Sequence, residues 1–105
     1  MLRHIVLWNF KDGFTAEKNR ANALELKSRL EALNQSIDEV VEIKVHINEL
    51  STSNMDVMLD SLFENEETMA AYKIHPEHKK ISKFVAETMQ NRACFDYYID
   101  KRTEI

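Results

Sequence analysis

The chain has 105 residues, enough for one domain (1–105) with one core, and a chain of that size buries roughly 60–70% of its unfolded surface. Hydrophobic residues make up 44% and charged residues 30%, a balance that argues against disorder. With 14 basic against 18 acidic residues and a net charge of −4, no concentrated basic face is expected, which disfavours nucleic acid as a partner. No apolar run approaches the roughly 20 residues of a membrane span, and Cys94 is the only cysteine, so an internal disulfide is excluded and a reducing cytoplasm fits.

The opening segment LRHIVLWNFK, residues 2–11, is rich in branched and aromatic types and runs into Asp12-Gly13. It reads as a strand followed by a turn, not as a signal peptide. Leu2, His4, Val6, Trp8 and Phe10 fall on one face, Ile5 and Leu7 on the other, so both faces are expected to be covered. Thr15 is a helix cap with Glu17 in the first turn. Ala23, Leu26, Leu30, Leu33 and Ile37 then recur at spacings of three and four, one apolar stripe on a long helix. Residues 40–48, VVEIKVHIN, alternate strictly and predict a half-buried strand; DVMLDSLF, residues 56–63, predicts a third strand, apolar on both sides.

Asn65 opens a short helix running to about Lys73. Pro76 suits the first turn of a helix and not its interior, so a second helix starts there, with Ile81, Phe84, Val85 and Met89 inward. His78 lies three residues before Ile81 and shares that face. CFDYYI, residues 94–99, is the last strand, with Cys94 a packed thiol at its start, and KRTEI a fraying tail. One glycine and one proline leave little room for linkers, and no repeat is visible.

The order β-α-β-β-α-β, with its second helix broken at the proline, matches the ferredoxin-like arrangement: an α+β fold, an antiparallel sheet with helices on one face. Strands apolar on both sides would leave the other face bare. A second copy of the same face is the simplest cover, so a homodimer is expected.

HIVLWNFKDG, LFENEETMAAYKIHPEHKKISKF and FDYY together resemble the stress-responsive A/B barrel (Dabb) domain family over essentially the whole chain. The Tyr-x-x-His-Pro-x-His run is the most specific part. The resemblance implies a dimeric α+β barrel of two ferredoxin-like subunits, and a family that mixes proteins without known activity, stress-linked proteins and a branch similar to polyketide cyclases of the olivetolic acid cyclase type. That branch works without metal or organic cofactor. Carried over by position, its acid/base pair falls on Tyr72 and His78, and a pocket histidine of its first strand on His4. A further pocket histidine falls on Val57, where this chain has no imidazole.

The residues admit two readings. A partly desolvated His78 beside a phenol suits proton removal next to a carbonyl, with Tyr72 polarising the oxygen; alternatively His78 seats the broken helix through a hydrogen bond. His4 interrupts an apolar row, as a satisfied core histidine or as a pocket group that approaches His78. Val6, Trp8, Val57, His75 and Ile81 are the candidate ligand-binding positions, for a small apolar or aromatic molecule held between sheet and helices. His75 also suits the turn before the proline. His75 and His78 alone fall short of the three protein ligands zinc needs, so neither metal nor cofactor is expected. The functional readings are therefore a binding protein, a cofactor-independent proton-transfer enzyme, or a structural stress protein.

Overall fold

The computed structural model describes residues 1–99, so the tail KRTEI lies outside the described residues. The elements run β1 (Leu2–Phe10), α1 (Ala16–Ser36), β2 (Glu42–Ile47), β3 (Val57–Phe63), α2 (Glu66–Ile74), α3 (Pro76–Thr88) and β4 (Met89–Tyr98). Each helix begins where side chains can satisfy orphan backbone N–H groups. Thr15 Oγ1 accepts from the Lys18 N–H at 3.1 Å. Asn65 and Thr68 exchange bonds in a capping box. His75 Nδ1 accepts from the Glu77 N–H at 3.1 Å, with Pro76 in the first turn, where its missing N–H costs nothing.

The strands form one antiparallel sheet in the order β2-β3-β1-β4. This corrects the expected barrel: the sheet is not closed. Four strands are too few to curl round onto themselves, and β2 and β4 remain as two separate edges. Even positions of β1 and odd positions of β3 face the helices and are buried, including Leu2, Val6, Trp8, Val57, Leu59 and Phe63. The α1 stripe of Ala23, Leu26, Leu30 and Leu33 closes over them, with Ile81 from α3 and Tyr72 from α2. The opposite sheet face carries Ile5, Leu7, Ala93, Phe95 and Tyr97.

β4 begins earlier than CFDYYI implied and is irregular. Asn9 pairs with Gln90 and Leu7 with Ala93, so β4 holds one residue more than β1 across that step. Asn91 absorbs it at φ 57°, a left-handed conformation asparagine tolerates, and its Nδ2 donates to Asn9 Oδ1 at 3.1 Å. The bulge reverses the strand's parity. Before it, odd-numbered Met89 packs inward opposite Phe10; beyond it, Cys94 and Asp96 share the inward face, opposite Val6 and His4. Cys94 is exposed in mid-strand and not a packed thiol at a strand start, because it lies on β4, the edge strand of the sheet.

Candidate functional site

A cavity of about 250 Å³ opens between the sheet and helix α3. His4, Val6, Trp8 and Leu59 form its floor, and Leu30, Tyr72, His78, Ile81, Ser82, Val85, Ala86 and Arg92 its walls and mouth. The break between α2 and α3 shapes it. Tyr72, at the end of α2, is fully buried against Phe63, with ring centroids 4.9 Å apart. Pro76 restarts the helix so that His78 falls on the inner face and meets Tyr72 edge-on at 4.6 Å. The two rings touch, yet no hydrogen bond joins them. Among the described residues, Tyr72 Oη and His78 Nδ1 are both buried without a hydrogen-bond partner, and so is Trp8 Nε1 on the same cavity. Buried polar atoms are normally paired, so three such groups around one cavity are an invitation to a polar ligand or to ordered water.

Burial sets the protonation states. It pushes the Tyr72 phenol far above its ordinary pKa, with Arg92 acting weakly against it, so Tyr72 is a proton-bearing donor near neutrality. It lowers the His78 imidazole, reinforced by His4, Lys73 and Arg92 and opposed by the Lys73 backbone. His4 is 2% exposed, and burial lowers its pKa against the pull of Asp96, whose Oδ1 lies 2.5 Å from His4 Nδ1. Burial alone would raise the Asp96 carboxyl, but its bonds to His4 and Cys94 and the fields of His4 and Lys73 outweigh that, and it is lowered. The pair is therefore best described as neutral imidazole donating to carboxylate.

Of the positions singled out in the sequence, Tyr72, His78, His4, Val6, Trp8 and Ile81 meet at this cavity. Val57 and His75 do not. Val57 faces inward but sits opposite Trp8 at the far end of β3, where it lines a larger, more open groove of about 520 Å³ beside the β2–β3 loop. Leu59, opposite Val6, takes the place expected of it. His75 is committed to capping α3. Arg92, Cys94 and Asp96 were missed. The one legible signal was Asp96, a lone charge within the aromatic run FDYY. Arg92 is exposed at the mouth and has no ion-pair partner among the described residues.

Residues 2–99 match the family model described as the stress responsive A/B barrel domain. A dimeric protein of unknown function and ferredoxin-like fold from Bacteroides fragilis is 33% identical, with 93% of this chain and 95% of that one aligned at a TM-score of 0.87. The protein At3g17210 from Arabidopsis thaliana is 22% identical, covering 98% and 99% at a TM-score of 0.78. A hydroxynitrile lyase from Passiflora edulis, 14% identical, covers 97% and 95% at 0.78, a likeness of fold alone. A search of curated proteins finds no match.

Proposed function

The chain belongs to the stress responsive A/B barrel domain family, and within it we propose that this protein binds a small aromatic or apolar carbonyl compound and moves a proton on it without a cofactor. One observation carries the reading: Tyr72 Oη, His78 Nδ1 and Trp8 Nε1 surround a single apolar cavity and lack hydrogen-bond partners among the described residues. A dry cavity of roughly 150 Å³ holds benzene, so about 250 Å³ suits one ring with a short carbonyl side chain. In the reaction, the Tyr72 hydroxyl donates to the carbonyl oxygen, while neutral His78, its proton on Nε2, takes the acidic proton alpha to that carbonyl through Nδ1. The enolate oxygen is stabilised by the phenol, which burial keeps protonated, with Trp8 N–H as a second donor on the cavity. His4 lies beyond, held in orientation by Asp96. Return of the proton to another carbon or to an alkoxide would give the isomerase, aldol or cyclase outcomes of the polyketide-cyclase-like branch.

The apolar sheet face supports a homodimer. Phe95 is 66% and Tyr97 41% exposed, beside Ile5 and Leu7, and the Bacteroides fragilis relative is described as dimeric.

The test is solvent-deuterium incorporation alpha to the carbonyl of an aryl methyl ketone, followed by NMR. The protein should accelerate exchange, and His78→Ala should remove the acceleration while the fold survives. Absence of both binding and exchange across aryl and alkyl ketones would leave the site a structural one.

A further inference from the structure

Beside the cavity, the parity switch at Asn91 places three ligand-type side chains together. His4 Nδ1, Cys94 Sγ and Asp96 carboxylate oxygen all lie within 4.8 Å of one another. Cys94 Sγ is 3.8 Å from His4 Nδ1 and 3.6 Å from Asp96 Oδ1. In a tetrahedral zinc site, with bonds of about 2.3 Å to sulfur and about 2.0–2.1 Å to nitrogen or oxygen, ligand pairs that include sulfur lie about 3.5 Å apart, and a nitrogen–oxygen pair about 3.3 Å. Both sulfur edges, 3.8 and 3.6 Å, lie within about 0.3 Å of that length. The third, His4 to Asp96 at 2.5 Å, is the length of a hydrogen bond, which an ion would replace by opening it roughly 0.8 Å to reach the tetrahedral edge.

We propose that His4, Cys94 and Asp96 form a binding site for one divalent ion of the zinc class, with the fourth position left to water. Thiolate, imidazole and carboxylate together match a borderline-soft ion, and not magnesium or calcium, which take oxygen ligands. Three protein ligands and an open position are the composition of a reactive site, not of a closed structural one. The sheet supplies the rigidity: Cys94 and Asp96 are two residues apart on one strand face, and His4 stands opposite Asp96 on the neighbouring strand. On binding, the Cys94 thiol proton leaves to solvent, and the imidazole proton passes from Nδ1 to Nε2 so that Nδ1 can ligate. Metal was not expected from the sequence because only His75 and His78 were close there; the true neighbours are some ninety residues apart (92 between His4 and Asp96).

The site stands independently of the acid–base reading, because Tyr72 and His78 contribute no ligand. The test is titration of chelator-treated protein with cobalt(II), then competition by zinc. One equivalent of cobalt should give intense visible bands of tetrahedral geometry and a sulfur-to-cobalt charge-transfer band, displaced by one equivalent of zinc. Cys94→Ala, an exposed position, should abolish the charge-transfer band. Asp96→Asn should weaken zinc at least about tenfold, the lower end of what loss of even an outer-shell partner costs. Tyr72→Phe should keep the spectrum. No charge-transfer band in the wild-type protein, or a band that persists in Cys94→Ala, would overturn the proposal.

Discussion

Burial makes charge costly at both Tyr72 and His78; Arg92 offsets part of it at Tyr72 and the Lys73 backbone part of it at His78. A neutral, desolvated imidazole carries a pH signature. The groups facing His78 are Tyr72, His4, Lys73 and Arg92, and after burial the last three lower its pKa further. The folded protein thus takes up this proton less readily than the unfolded chain, where imidazole titrates near 6.5 (about 6.5). The sign follows: this contribution is fully present above about 6.5 and is lost as pH falls through the lower folded value. The melting temperature should therefore drop between neutral pH and pH about 5, and the drop should be smaller in His78→Gln, which cannot charge. An equal drop in both proteins would place the acid sensitivity elsewhere. The sequence exposed these residues because Pro76 sets the phase of α3, and phase decides which side chains face in. Val57 was reached differently, by carrying a family position over, which left its place along the strand open. Alternation gives the face of a strand but not the position along it, and Val57 pairs with Trp8 while Ser61 is the residue opposite His4.

Among the elements, β4 was the least legible and matters most to the site. Its inward row changes from odd to even numbers at Asn91, and nothing in NRACFDYY marks a bulge except an asparagine, a residue common in any turn. Had β4 been regular, Cys94 and Asp96 would lie on the sheet face away from His4. The helices were legible to within about a residue, because Thr15, Asn65 and Pro76 announce their starts chemically. The bulge predicts its own substitution pattern. Asn91→Gly should hold stability, since glycine adopts φ 57° without strain. Asn91→Val should cost about 1–2 kcal/mol, the penalty of left-handed backbone for a residue with a Cβ, and β-branching adds to it. Denaturant unfolding of both variants measures this; equal stability of the valine and glycine variants would contradict the role given to Asn91.

For the whole molecule, an open sheet with helices on one side leaves the other side to be covered. The outward row of Ile5, Leu7, Phe95 and Tyr97 is apolar apart from the Arg3–Asp60 ion pair, and Phe95 and Tyr97 already pack ring to ring at 5.9 Å. Sedimentation at low micromolar concentration should give a dimer, and Phe95→Asp should shift it to monomer without unfolding; a wild-type monomer would refute the assembly. The open sheet itself was not legible from a family resemblance that implied a barrel: the four strands were readable in the sequence, but which edges stay unpaired is decided only in the folded chain. The cavity keeps polar atoms, unpartnered among the described residues, for a ligand. Tyr72→Phe tests this, because it removes only a buried hydroxyl that has no hydrogen-bond partner among the described residues. The variant should be as stable as the wild type or more so, by up to about 1–2 kcal/mol in denaturant unfolding, and should lose ketone binding or exchange in the same preparation. Loss of stability with ketone binding and exchange unaltered would contradict it.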